Sequence, residues 1–191
     1  LVRIFLDRII NRKTAHFELF FEMDWHVKSS MISYGHDIEG AWLLCEAAEM
    51  LNDKGLLQEV EAIAVRMTDV TIAEGISPDN SLYYELDETT GHIEKDRHWW
   101  VQAEAMVGLI NAFQITGYDD YLKQMDAIWN FIKDNHIDRK HGEWFLRIHN
   151  NGCASESDPK AGFWKCPYHN SRALMESYVR LAKVSTAVGT K

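Results

Sequence analysis

The fold class is decided by residues 33–51, which have the sequence SYGHDIEGAWLLCEAAEML. Apolar side chains recur there at helical spacing, so the stretch predicts a helix over about 36–52. The short polar segment NDKG (52–55) follows, and a second helical pattern runs over 56–75. Because so short a connection makes two helices antiparallel neighbours, this part of the chain predicts a helical hairpin.

The same arrangement recurs along the chain. A second hairpin is predicted across the connection TGYDD (116–120), and short aromatic segments typical of β-strands separate the helical parts. These segments, HFELFFEM (16–23), SLYYELD (81–87) and EWFLRIH (143–149), begin roughly sixty residues apart. The complete set of predicted helices is 1–11, 36–52, 56–75, 98–116, 119–136 and 168–186.

A helical hairpin repeated at this interval is the signature of a repeat architecture, in which each unit buries one face against its neighbours. We therefore expect an all-α fold of the α/α toroid type, with short β-strands in the loops between hairpins. About three repeats are present, and we expect residues 1–191 to form a single domain.

Composition excludes several classes of function. The chain of 191 residues has a net charge of -9, whereas a nucleic-acid partner requires a basic face. No apolar run reaches the roughly 18 residues of a membrane span, so no membrane partner is expected. The three cysteines include no CxxC pair, and Cys45 lies in a helical pattern typical of buried packing. A reducing, cytoplasmic setting is the expectation.

The starts of three predicted helices carry unusual side chains. His36 and Glu39 open one helix, Trp99 and Trp100 open another, and His169 opens the last. In a toroid the inner helices begin near one mouth, so these side chains are expected to line one pocket of a size that suits a carbohydrate. Considered alone, a histidine with a carboxylate three residues on is equally a structural pair at a helix start.

Four segments resemble one known family. They are GHDIEGAWLL (35–44), HWWVQAEAMVGLINAF (98–113), HGEWFLRIHNNG (141–152) and FWKCPYHNSRALME (163–176). Their sequences and order resemble the cellobiose 2-epimerases of the N-acylglucosamine 2-epimerase superfamily. The resemblance implies an (α/α)6 barrel of which this chain is about half, the C-terminal half.

The resemblance also implies a reaction, the inversion of C2 in the reducing-end sugar of a β-1,4-linked disaccharide, cellobiose or mannobiose. His36 and His169 would transfer protons on the two faces of C2 through an enediolate. Histidine suits this task because its reference pKa of about 6.5 lies near neutrality. Glu39 would orient His36 and favour its imidazolium form. Neither a metal nor an organic cofactor is implied.

The predicted substrate-binding residues are Trp99, Trp100, Trp164 and Glu85. An indole face can stack on a sugar ring, and Glu85 would accept hydrogen bonds from sugar hydroxyl groups. Core packing is the alternative for one of the two adjacent tryptophans, since neighbouring positions on a helix point about 100° apart.

Several polar residues are predicted to lie outside the site. Asp37 and Glu104 are interpreted as caps or structural pairs, and Arg172 as an ion-pairing residue of the wall. The remaining histidines are predicted to occupy surface or loop positions: His16, His26, His92, His136, His141 and His149.

Three other functions stay open. An aldose–ketose isomerase would share the enediolate and return the proton at C1. A glycoside hydrolase would need two carboxylates about the scissile bond, for which Glu39 and Glu85 are the candidates. An inactive carbohydrate-binding fragment is the third. Half a ring also exposes apolar helix faces, so self-association is expected.

Overall fold

A computed structural model describes residues 1–188. Six α-helices dominate the fold, and two of them continue into a π-helical turn. The helices are α1 (Val2–Ile4, continued by Phe5–Ile9), α2 (Tyr34–Met50), α3 (Lys54–Gly75), α4 (Trp99–Thr116), α5 (Asp119–Phe131, continued by Ile132–His136) and α6 (Tyr168–Val188). Helices α2 to α6 lie where the sequence predicts them. The first is wrong at its end, because the predicted helix 1–11 gives way to a strand at Ile10.

Helix α4 is the centre of the fold, since it packs against α2, α3, α5 and α6. It is apolar on nearly all sides, with 14 of its residues buried, as expected for a helix enclosed by others. Helices α2, α4 and α6 form an inner row, and α3 and α5 pack outside it. The close approach of α2 to α4 depends on Gly108, whose Cα faces the side chain and backbone of Ile38.

Both predicted hairpins are present, and the residues at each turn explain where the helices begin and end. Asp53 caps α3 by accepting a hydrogen bond from the backbone N–H of Leu56 at 3.0 Å. Gly117 ends α4 with a φ of 75°, a left-handed conformation that glycine adopts without steric cost. The two hairpins therefore end and begin where short polar segments interrupt the helical pattern.

Short antiparallel strands join the ends of the hairpins. They are β1 (Ile10–Asn11), β2 (His16–Phe17), β3 (Met31–Ser33), β4 (Glu85–Asp87), β5 (His92–Glu94), β6 (Arg97–His98) and β7 (Arg147–Ile148). Strand β3 leads into α2 and pairs with β4, which follows α3, while β6 leads into α4 and pairs with β7, which follows α5. Each pair thus ties the chain before a hairpin to the chain after it.

The predicted strands are confirmed as short strands between hairpins, but their bounds were too long. Only residues 16–17, 85–87 and 147–148 of the three aromatic segments form strands. The sequence does not predict their partners β1, β3, β5 and β6. These two- and three-residue strands carry no alternating pattern, so sequence periodicity contains no signal for them.

Cys45 is buried, as predicted, and the three cysteines are free thiols. None of the helices in residues 1–188 is both long and apolar enough to cross a membrane. The outer face of α6 exposes large apolar side chains, namely Leu174, Met175, Tyr178 and Val179. Such a stripe fits the expected self-association, which stays a prediction.

We expect Gly108→Ala to lower the free energy of unfolding by about 1–3 kcal/mol, because the added methyl group would meet Ile38 and force α2 from α4. Urea denaturation followed by circular dichroism measures this. Gly55→Ala is the matched control: its methyl group has only the Asp53 carboxylate nearby, at 3.5 Å, and alanine favours a helix by up to about 1 kcal/mol. Equal stability of the two variants would contradict the close packing of α2 on α4.

Candidate active site

The first turns of α2, α4 and α6 meet at one place, and they carry His36, Trp100 and His169. The indole of Trp100 contacts both imidazoles, with ring centroids 4.8 Å from His36 and 5.5 Å from His169. The structure therefore brings together the two histidines that the sequence singles out, from helix starts more than 130 residues apart. Their catalytic roles stay predictions.

His36 is oriented by the residue before its helix. Its Nδ1 lies 2.8 Å from the hydroxyl oxygen of Ser33, the N-cap residue of α2. The pKa of His36 is lowered from its ordinary value of 6.5 because burial disfavours the imidazolium, although the nearby carboxylate of Glu39 acts in the opposite direction. Glu39 was expected to orient the ring and favour its charged form. The orienting partner is Ser33, and burial outweighs the charge of Glu39.

His169 is held by a buried carboxylate. Its Nδ1 lies 2.7 Å from Oε1 of Glu104, a residue with no exposed surface one turn into α4. The other carboxylate oxygen of Glu104 accepts a hydrogen bond from the indole N–H of Trp42 at 3.1 Å. An ionised carboxylate can only accept, so Nδ1 of His169 donates this hydrogen bond.

Arg172 completes this cluster, one turn after His169 on α6. Its Nη2 donates to Glu39 at 2.5 Å and to Glu104 at 2.6 Å. The guanidinium also lies over two aromatic rings, 4.9 Å from the centroid of Trp42 and 4.4 Å from that of Tyr168. Arg172 thus connects the three inner helices.

One group of side chains has the spacing of a metal site. The ligand atoms of Glu39, Glu104 and His169 lie within 4.8 Å of one another. The guanidinium of Arg172 already supplies positive charge to both carboxylates, so a divalent cation would have to displace it. This donor set fits an arginine better than a metal ion.

A groove of about 970 Å³ opens beside His36. Its charged and polar lining consists of Glu18, His36, Glu39 and Glu85, of which His36 and Glu39 belong to α2. Burial and the neighbouring Glu94 raise the pKa of Glu85 above its ordinary value. The rest of the wall is mainly apolar, and includes Phe5, Phe17, Phe20, Phe21, Trp25 and Leu43.

The three predicted stacking residues have different environments. Trp99 is buried, and the ammonium of Lys165 lies 4.9 Å from its ring centroid. Trp100 is buried and contacts both imidazoles, whereas Trp164 is 84% exposed and contacts the ring of Phe163. Because Trp99 is buried and covered by Lys165, it fits the alternative that one of the two adjacent tryptophans, Trp99 and Trp100, packs in the core. Contact of any of them with a sugar stays a prediction.

Glu104 and Arg172 are the residues that sequence reasoning missed. The sequence predicts that Glu104 forms a cap or structural pair and that Arg172 forms an ion pair in the wall. Both residues do form such pairs, but they form them within the cluster around His169, Glu104 with His169 and Arg172 with Glu104. Two signals pointed to them: a lone carboxylate in an otherwise apolar helix needs buried partners, and Arg172 lies three residues after His169, on the same helix face. The interpretation of Asp37 as a structural residue is confirmed by its bonds to His16 and to the backbone N–H of Phe17.

Two histidines were wrongly placed at the surface. His136 is fully buried, and burial lowers its pKa to about 3, so it is neutral. His16 is also buried, with Nδ1 2.7 Å from Asp37 and Nε2 3.2 Å from Glu74. Burial alone would lower the pKa of His16, but the two carboxylates outweigh it and raise the value above 6.5. His26, His92 and His141 are exposed, as predicted.

A comparison of the sequence with models of protein families shows to which family this chain belongs. The family model for N-acylglucosamine 2-epimerase (GlcNAc 2-epimerase) matches residues 1–173. The chain belongs to the N-acylglucosamine 2-epimerase family.

Relatives of this N-acylglucosamine 2-epimerase family member include two cellobiose 2-epimerases. The protein from Bacteroides fragilis is 46% identical over 176 residues, which are 92% of this chain and 45% of that protein. The one from Dictyoglomus turgidum is 36% identical over 182 residues, 95% of this chain and 46% of that protein. The chain therefore spans less than half the length of these relatives.

Among solved structures, a sugar epimerase from a ruminal bacterium is 33% identical and superposes with a TM-score of 0.88. The match covers 94% of this chain and 46% of that chain. The expectation of an α/α toroid, of which this family member contains about half, is confirmed.

The His16 cluster predicts how stability depends on pH. Because the pKa of His16 is raised on folding, its stabilisation is complete below pH 6.5 and is lost as the pH rises through the folded value. We expect His16→Gln to cost about 2 kcal/mol at pH 6 and clearly less at pH 9. Chemical denaturation at both pH values measures this, with His92→Gln as the exposed control. An equal cost at both pH values would contradict a charged His16.

The environment of His36 predicts its titration. We expect its pKa to lie below 6.5, and Glu39→Gln to lower the pKa further by removing a negative charge. NMR titration of the imidazole resonances measures both. Glu49→Gln is the control, since Glu49 is exposed near the far end of the same helix. A rise in the pKa of His36 in the Glu39→Gln variant would show that Glu39 acts on His36 in the opposite sense.

Proposed function

We propose that this chain carries the proton-transfer residues of a disaccharide 2-epimerase. The proposed reaction inverts C2 in the reducing-end sugar of a β-1,4-linked disaccharide, with cellobiose or mannobiose as substrate. Its main support is the meeting of His36 and His169 around Trp100 in a chain 46% identical to a cellobiose 2-epimerase.

The reaction requires two proton-transfer groups. After the sugar ring opens, one base removes the proton from C2, and the electron pair moves toward the C1 carbonyl to give an enediolate. A proton then returns to C2 on the opposite face, so that no net proton is gained or lost. Each group must accept and release a proton near neutral pH, which histidine does well. No metal or organic cofactor takes part in this proposal.

His169 is proposed to open the ring and to exchange a proton on one face of C2. Its Nδ1–H is engaged by the buried Glu104, so Nε2 is the atom that meets the substrate. The carboxylate fixes the tautomer and orientation of the ring, as an acid–base group requires.

His36 is proposed to serve the other face. Its lowered pKa keeps the ring neutral at pH 7, so it can accept a proton from C2. Which histidine removes the proton depends on the direction of the reaction.

The groove beside α2 is proposed to hold the sugar. Glu85 lines it together with His36 and is proposed to bind sugar hydroxyl groups. Trp100 and Trp164, with Trp99 as the third candidate, are proposed to provide apolar contact to the sugar rings. The chain spans 45% of the Bacteroides fragilis relative, and we propose that other substrate contacts come from the part of the relatives that it does not match.

An assay in heavy water tests the proposal. The purified chain is incubated with cellobiose in D2O, and products are analysed by NMR and mass spectrometry. We expect deuterium at C2 and the appearance of glucosyl-mannose. His36→Asn and His169→Asn should each reduce the exchange by at least about a hundredfold. His92→Asn, at an exposed loop histidine, is the control and should retain full exchange.

Other products identify the other functions. Ketose formation with the proton returned at C1 indicates an isomerase, and free glucose indicates a hydrolase. Tryptophan quenching by oligosaccharide without any exchange indicates a sugar-binding chain. Each of these outcomes, or full exchange in either histidine variant, contradicts the proposed mechanism. Trp164→Ala is expected mainly to raise KM.

A further inference from the structure

Arg172 is placed to control the state of His169. Both residues bond to the same oxygen of Glu104, His169 through Nδ1 at 2.7 Å and Arg172 through Nη2 at 2.6 Å. The same Nη2 reaches Glu39 at 2.5 Å. One guanidinium thus lies against two carboxylates. Among the described residues of this cluster, His169 is the one other group that could give them a positive charge.

The charged and titratable groups around His169 come from every element packed against it. Helix α2 contributes His36 and Glu39, the latter with a carboxylate oxygen 4.0 Å from Nδ1. Helix α4 contributes Glu104, and α6 itself contributes Tyr168 and Arg172. The segment before α6 contributes Lys165, whose ammonium lies over Trp99 and is paired with Glu143 at 2.9 Å. Lys165 is therefore already neutralised, and Arg172 supplies one positive charge against the two negative charges of Glu39 and Glu104.

We propose that Arg172 is a positioning residue that keeps His169 as a neutral imidazole donating from Nδ1. With Arg172 present, Glu104 is compensated and needs from His169 only a hydrogen bond. Without Arg172, two carboxylates would lie beside His169, and the imidazolium would become their only counter-ion. A doubly protonated ring has no lone pair with which to accept a proton from a substrate.

The shape of the arginine side chain matters for this role. Its guanidinium lies over Trp42 and Tyr168, and its Nη1 donates to the hydroxyl group of Tyr168 at 2.5 Å. A planar group held between two rings keeps Nη2 fixed between the carboxylates. Although burial alone would lower it, the pKa of Arg172 is raised by Glu104 and Glu39, so its charge persists at any pH at which the protein is folded.

NMR of the chain labelled with ¹⁵N in its histidines tests the proposal, because the two ring nitrogens report protonation and tautomer directly. In the unaltered chain at pH 7 we expect the Nδ1–H form of His169. In Arg172→Met the ratio of imidazolium to neutral imidazole should rise at least about tenfold, as expected for removal of an adjacent opposing charge. Arg172→Lys, which keeps the positive charge, should restore most of the neutral form.

Arg180→Met is the matched control. Arg180 lies two turns further along α6, also over the ring of Trp42, at 5.7 Å, and its ion pairs are with Glu46 and Glu176. This variant loses an arginine, a cation–π contact and ion pairs on the same helix, and it should leave the His169 ratio unchanged. An equal change in both variants would assign the effect to helix packing.

Other results also decide the question. An unchanged ratio in a folded Arg172→Met variant overturns the proposal. If that variant fails to fold, Arg172→Gln replaces it, and failure of both assigns Arg172 to stability alone. The catalytic importance of the effect of Arg172 on His169 rests on the proposed function, but the NMR measurement uses no substrate. A chain without epimerase activity would therefore still show whether Arg172 sets the state of His169.

Discussion

The carboxylate of Glu104 is the constraint on which the rest of the site depends. It lies with no exposed surface in α4, the helix that all other long helices enclose. The idealised cost of burying an unpaired carboxylate is of order 20 kcal/mol, and several kcal/mol remain after relaxation. Such a group persists in a folded protein only when its lone pairs are used.

The partners of Glu104 come from the two helices that flank α4. Trp42 belongs to α2, whereas His169 and Arg172 belong to α6. Satisfying one buried group therefore fixes the rotation of both neighbouring helices relative to α4. The positions of the two histidines follow, since each lies in the first turn of a helix so fixed. Packing of Ile38 against Gly108 sets the distance between α2 and α4, and Glu104 sets the register of the side chains.

The sequence predicts what is local and periodic. Five long helices, two hairpin turns and the meeting of His36 with His169 follow from spacing and from resemblance. It does not predict which polar groups share a proton or a charge across helices. Glu104 and Arg172 are 68 residues apart, and no local pattern relates them. His16 is similar: its carboxylate partners lie 21 and 58 residues away, so its burial is decided by tertiary packing.

The neutral state of His36 shows how these effects combine. Two features disfavour its imidazolium, namely burial and the N-terminal end of α2. The carboxylate of Glu39 opposes them, and an opposite charge within about 4–6 Å can shift a titration by one to three pKa units. Burial still outweighs that charge, so the pKa of His36 lies below its ordinary value.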